Sequence, residues 1–241
     1  SSNIRLASSK INGALLMPGE KWGFNEYVGR RTTQAGYREA GVYINGRHDT
    51  GVGGGICQVS TTLYNAALFA NLKIVERTNH SLPVPYVPLG RDATVNWGAQ
   101  NLVLENNTGA PIAIVSTYEP GRLTFRILGK KDPTLSVKVT QGKIRYWSGS
   151  TRREYDPRLA PGATKVVSTG SNKGVAAFRH IYRNGVKEKT EDLGYSAYTG
   201  GGTVILYGPK APAKPKAPAA PAAGAPVTTP PPASDPTGPT L

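Results

Sequence analysis

Gly53-Gly54-Gly55-Ile56-Cys57-Gln58-Val59-Ser60-Thr61-Thr62 is the stretch on which the fold turns. Three glycines let the backbone take dihedrals closed to other residues and approach its neighbours closely. Directly behind them the apolar spacing becomes helical: Val59, Leu63, Ala66, Ala67 and Ala70 mark one face of a helix that begins near Cys57 and ends near Asn71-Leu72. Cys57 therefore stands in the first turn. There the unpaired N–H groups and the positive end of the helix dipole favour a thiolate, and the same N–H groups can hold an oxyanion. A nucleophilic cysteine needs this setting. The competing reading is a buried structural cysteine, since free cysteine packs like a small hydrophobe; the glycine triplet at a helix start weighs against it. A phosphate-binding loop is discounted, because no Gly-Lys-Ser/Thr ending and no dinucleotide-type glycine spacing is present.

Upstream, a short amphipathic helix opens the chain, with Ser2 or Asn3 as N-cap, Ile4, Ala7 and Ile11 on one face and Gly13 as its stop. Downstream the period switches to two. Val84–Val87, Ala93–Trp97, Leu102–Glu105, Ile112–Tyr118 and Leu123–Leu128 read as strands. After the hinge-like Lys130-Lys131-Asp132-Pro133, a second segment reads as all-β, with Val137–Thr140, Lys143–Tyr146, Lys165–Ser168, Val175–Tyr182 and Val204–Tyr207 as strands and Asn184-Gly185 as a hairpin turn. From Pro209 to Leu241 the chain holds 11 of the 20 prolines and no aromatic residue; such a stretch cannot bury enough surface to fold. The expected architecture is α+β: a domain over 1–131 with the cysteine-bearing helix packed on an antiparallel sheet, an all-β module over 134–208, and a disordered Pro/Ala-rich tail over 209–241.

A cysteine nucleophile needs a base. His80, in Glu76-Arg77-Thr78-Asn79-His80-Ser81, lies between the helix and the strand run and is the first choice. His48, in the polar stretch Asn45-Gly46-Arg47-His48-Asp49, is the alternative; His180 lies far along the chain. For the group that orients the imidazole, Asp92 in Gly90-Arg91-Asp92-Ala93-Thr94-Val95 leads, followed by Asn79 and Asn96. Arg77 and Arg91 flank these positions, and Arg30-Arg31 lie upstream; guanidinium groups clamp carboxylates in bidentate fashion. For any one of them the plainer reading is solvated surface charge.

Composition narrows the classes. With one cysteine in 241 residues there is no internal disulfide and no cysteine-based zinc site, and three scattered histidines argue against a histidine-only metal site. No cofactor is expected. The net charge is +14, of which +12 belongs to residues before the tail, so the partner sought is a polyanion. The basic residues are spread and no nucleic-acid motif is present, which favours anionic cell-envelope polymers over nucleic acid. No apolar run reaches the roughly 18 residues of a membrane helix. A signal or anchor segment is expected to lie outside these residues, and the chain is expected to be a monomer.

The first segment resembles the VanW domain family over nearly its whole length. The resemblance rests on Ile11-Asn12-Gly13, Pro18-Gly19-Glu20 with Phe24-Asn25, Gly36-Tyr37, the run Gly53 to Tyr64, Arg77 with His80-Ser81, and Gly90 with Asp92-Ala93-Thr94-Val95. Trp22-Gly23-Phe24 departs from the family, which more often has a Phe-Ser-Phe type of run. The second segment is similar to a G5 domain through Asp156-Pro157-Arg158-Leu159-Ala160-Pro161-Gly162, Tyr182-Arg183-Asn184-Gly185 and Val204-Ile205-Leu206-Tyr207-Gly208. The VanW resemblance implies a peptidoglycan L,D-transpeptidase outside the cytoplasm, with Cys57 as nucleophile, His80 as base and stem peptides as substrate. Asp92 is then the third catalytic candidate, and Gly54, Gly55, Gln58, Arg77, Arg91 and Ser81 are the substrate-binding candidates. Water as acceptor would give an L,D-carboxypeptidase. The rival expectation is a non-catalytic peptidoglycan-binding protein with a structural cysteine.

Overall fold

The computed structural model describes residues 1–44, 47–168 and 170–211, excluding the side chains of 42–49 and 168. In chain order it runs α1 (Ser2–Ile11), β1 (Ala14–Leu16), β2 (Lys21–Gly23), α2 (Phe24–Val28), β3 (Glu39–Ile44), β4 (Arg47–Val52), α3 (Ile56–Phe69), β5 (Lys73–Glu76), β6 (Val103–Glu105), β7 (Ile112–Glu119) and β8 (Arg122–Leu128). It continues through β9 (Leu135–Gln141), β10 (Arg145–Ser148), β11 (Ser150–Tyr155), β12 (Thr164–Ser168), β13 (Ser171–Arg183), β14 (Val186–Tyr198) and β15 (Gly202–Tyr207). The architecture is β-rich, with few helices. Nearly all of the stretch expected to be a disordered tail lies outside the described residues.

α1 and α3 form because each carries an apolar stripe at helical spacing: Ala7 and Ile11 on the first, Val59, Leu63 and Ala67 on the second, all fully buried. α3 lies against α1, β5 and β8, and also against β9. The antiparallel sheet β1-β7-β8 and the sheet β2-β6-β5 flank the core that these helices share with Phe24, Leu102 and Leu104. Further on, β9 and β10 pair with β13, which pairs with β14, and β15 lies between a parallel β11 and an antiparallel β12. Val139 of β9 and Leu193 of β14 pack on the core built by the first segment. The Asn184-Gly185 turn joins β13 to β14 with φ of 49° and 80°. No helix among the described residues is long and apolar enough to cross a membrane.

The strand expected at Val84–Val87 is absent: Pro85 and Tyr86 form a turn and Val87 a bend, because Pro83 and Pro85 supply no ladder N–H. Ala93–Trp97 forms only the isolated bridges Thr78↔Thr94 and Asn96↔Gln100. The cause is α3. The Ser60 and Thr61 hydroxyls donate to the Ala93 carbonyl at 2.7 and 3.2 Å, and the Ala93 N–H donates back to Thr61 at 3.0 Å. Groups that a ladder would use are thus held by helix side chains, which pins residues 92–95 beside Cys57. The polar stretch around His48 contains the start of β4, paired with β3 from Glu39↔Val52 to Ile44↔Arg47.

Candidate active site

The chain enters α3 through two unusual glycines. Gly55, the N-cap, is left-handed at φ 96°. A Cβ on Gly54 would stand 2.5 Å from the Gly41 carbonyl oxygen and 2.7 Å from Ala40 Cβ, so only glycine permits this approach to β3. Buried Asn3 of α1 secures the loop, donating to the Arg38 and Gly54 carbonyls at 2.8 and 3.0 Å. Gly54 and Gly55 thus shape the entry to the helix. In the first turn the Ile56 and Gln58 amides donate to the Gly53 and Gly55 carbonyls.

Cys57, partly exposed, has its Sγ 3.4 Å from Thr94 Oγ1 and 3.6 Å from the Val95 carbonyl oxygen. The His80 side chain is near enough to lower the thiol. His80 Nδ1 lies 2.7 Å from Asp92 Oδ2. Cys57, His80 and Asp92, up to 35 residues apart in the chain, are thus brought together, with His80 bonded to Asp92 and acting on the thiol. Burial opposes a thiolate at Cys57, yet the neighbouring His80 and the bond to Thr94 hold the thiol below its usual range. Burial likewise opposes an imidazolium at His80, but Asp92 and Cys57 push it up to about 9. Both shifts favour a thiolate–imidazolium pair.

Asp92 is almost fully buried and accepts four hydrogen bonds. Oδ2 takes the His80 backbone N–H and Nδ1, each at 2.7 Å, while Oδ1 takes the Tyr198 hydroxyl at 2.6 Å and Arg77 Nη2 at 3.0 Å. Burial works against its charge, but these bonds hold the carboxyl below its ordinary range. Arg77 is wholly engaged here: Nε donates to the Asp92 carbonyl at 2.6 Å, Nη1 to Ser196 Oγ at 2.8 Å, and the guanidinium lies over the Tyr64 ring. Its side chain is 8 % exposed, so it braces the carboxylate and faces no open space.

Gln58 and Arg91 line a cleft of about 270 Å³ beside the cysteine's helix, together with Thr62, Asn65, Tyr86 and Pro88. Arg91 Nε donates to Asn65 at 2.8 Å, and the guanidinium stacks over Phe69. Ser81 is exposed and its carbonyl accepts from Gly200 N–H at 2.7 Å. Asn79 donates to the His80 and Ala197 carbonyls, and the Asn96 backbone pairs with Gln100. His180 lies on β13 between Thr140 and Thr190 hydroxyls. The side chain of His48 lies outside the described residues. Sequence reasoning missed Thr94 as a thiol partner, and it missed Ser196 and Tyr198. Thr94 sits inside the Asp92–Val95 motif, which could have drawn notice; nothing in sequence ties Tyr198 to a residue 106 positions away.

Among curated relatives, the uncharacterized protein YoaR of Bacillus subtilis (strain 168) is 47% identical over 114 residues, covering 47% of this chain and 38% of that protein. The vancomycin B-type resistance protein VanW of Enterococcus faecalis (strain ATCC 700802 / V583) is 30% identical over 149 residues, covering 60% and 54% respectively. The chain thus spans roughly two fifths to a half of the length of these relatives. Two solved structures resemble part of the chain. HP0197-G5 is 17% identical, covering 31% of this chain and 97% of that one with a TM-score of 0.18. The IgA1 protease G5 domain is 20% identical, covering 33% and 95% with a TM-score of 0.22. The family described as VanW like protein matches residues 1–128, a span that includes Cys57, His80 and Asp92, and the chain belongs to that family.

Proposed function

We propose that this protein is a cysteine acyltransferase of the cell wall, an L,D-transpeptidase acting on tetrapeptide stems of peptidoglycan. The observation that carries the reading is the His80 imidazole, bonded to buried Asp92 at 2.7 Å and holding the Cys57 thiol below its usual range. The likeness to a vancomycin-resistance protein supports a cell-wall role. In the first half-reaction Cys57 Sγ attacks the carbonyl carbon of the stem's third residue. A C–S bond forms, the C–N bond to the terminal D-alanine breaks, and the leaving amine takes its proton from His80. In the second, an amine of another stem attacks the thioester, His80 takes that amine's proton, and the thiolate is released with a 3-3 cross-link made. Water in place of the amine gives a carboxypeptidase. The donors proposed for the oxyanion are the Cys57 N–H and the Gln58 carboxamide. The Gln58–Arg91 cleft receives a carboxylate-bearing part of the stem.

In this reading residues 1–131 form the catalytic unit and 134–208 a G5-like module. The protein works outside the cytoplasm, against an envelope whose anionic polymers complement its basic charge. Incubation with disaccharide-tetrapeptides, followed by mass spectrometry of the products, tests the assignment. Wild type is expected to yield 3-3 dimers with loss of D-alanine, and Cys57→Ala neither. Identical profiles would leave a wall-binding protein with a structural cysteine.

A further inference from the structure

We propose that the β-rich second segment completes the catalytic site: the Tyr198 hydroxyl on β14, seconded by Ser196 through Arg77, fixes the rotation of Asp92 and so sets the imidazole of His80. The inference rests on the Cys57–His80–Asp92 reading above. Tyr198 is 2 % exposed. Its hydroxyl accepts from the Gly90 N–H at 2.7 Å and donates to Asp92 Oδ1 at 2.6 Å. Burial and the Asp92 charge push the phenol far up, so it stays a donor. A carboxylate can turn about its Cβ–Cγ bond. Here one oxygen is held by Tyr198 and Arg77, and only the other is left for the two His80 donors. The titratable and charged groups acting on Asp92 are therefore His80, Arg77 and Tyr198, with Tyr64 further off; His80 and Arg31 act on Cys57.

The contact is extended. Arg77 Nη1 donates to Ser196 Oγ at 2.8 Å, Asn79 Nδ2 to the Ala197 carbonyl at 2.8 Å, and the Gly200 N–H to the Ser81 carbonyl at 2.7 Å. Residues 196–200 thus run along 77–81, the segment that carries His80. On β13, Ala177 and Val175 crowd Gly90 so closely that a Cβ there would come within 3.1 and 3.3 Å of them. Tyr198 touches no reacting atom in this scheme; it is a positioning residue, and its loss acts through Asp92.

The test reads the pH dependence of Cys57 alkylation by iodoacetamide on the full chain, which requires no transpeptidase turnover, for wild type, Tyr198→Phe, Ser196→Ala, His80→Gln and Tyr195→Phe. With Tyr198→Phe the thiolate loses part of its aligned partner, and the midpoint is expected to move up by roughly half a pH unit. Turnover on disaccharide-tetrapeptides is expected to fall about tenfold with KM unchanged. Tyr195→Phe, on the same strand but exposed, should superimpose on wild type. A moved midpoint in His80→Gln with none in Tyr198→Phe overturns the bracing and leaves the cysteine–histidine pair intact. No movement in His80→Gln overturns both. Should Tyr198→Phe fail to fold cooperatively, Ser196→Ala decides: an upward midpoint supports the bracing, and an unmoved one overturns it.

Discussion

His80 stands between groups of opposite demand: Asp92 wants its proton kept, and Cys57 is the better nucleophile for having lost one. The sign of the resulting pH dependence follows. Cys57 lies below the ordinary thiol range, so the thiolate is present at pH values where a free thiol is protonated. His80 keeps its proton until about 9, and above that the amine leaving in the proposed reaction would have no acid to protonate it. Acyl-transfer rate is therefore expected to fall as pH rises through about 9, with an acid limb below the usual thiol value, as a pH profile of kcat/KM would show. A profile that climbs through pH 9 would contradict the pair. At this scale much was legible: the glycine triplet and helix start pointed to Cys57, and His80 and Asp92 were the leading partners. The use of Arg77 was not legible, because a guanidinium near a candidate site reads equally as a substrate clamp, and only its bonds to Asp92 and Ser196 show it braced inward.

At the scale of elements, the start of α3 depends on how closely the loop can approach β3. Gly54→Ala would set a methyl within 2.5 Å of the Gly41 carbonyl oxygen, and the loop must move away. The expected cost is about 1–3 kcal/mol, read as a lower denaturant midpoint with slower Cys57 alkylation, since the first turn carries the thiol. An unchanged midpoint would mean that β3 yields at no cost. The helix itself was readable from its apolar spacing, but residues 92–95 were not: their β-branched pattern suits a strand, and hydroxyls from α3 take the Ala93 groups instead. β14 was missed because its first half is charged and solvent-exposed, so no apolar alternation marks it.

Across the whole molecule, a second link between the two segments runs through Arg179 of β13. It is 4 % exposed and donates to the Leu72 carbonyl at 2.7 Å, just beyond the C-terminal end of α3, while Nε donates to Glu191 at 2.7 Å. A cation at a helix C-terminus also meets the negative end of the dipole. Arg179→Ala leaves that carbonyl and the Glu191 carboxylate without this donor, and is expected to lower stability by about 1–3 kcal/mol, seen as a reduced thermal midpoint. No shift in the midpoint would show that the Arg179 bonds add nothing to the contact between the segments. The sequence by itself determined the local matters: a helix opened by glycines, a thiol in its first turn, a following histidine and aspartate, and a Pro/Ala-rich end. These are set by backbone freedom, periodicity and composition within a few neighbouring residues. Only the tertiary structure decided which groups meet over long separations. Tyr198 reaches Asp92 across 106 residues, because β14 folds back against the loop that carries His80, and that packing leaves no signature in the spacing of either segment.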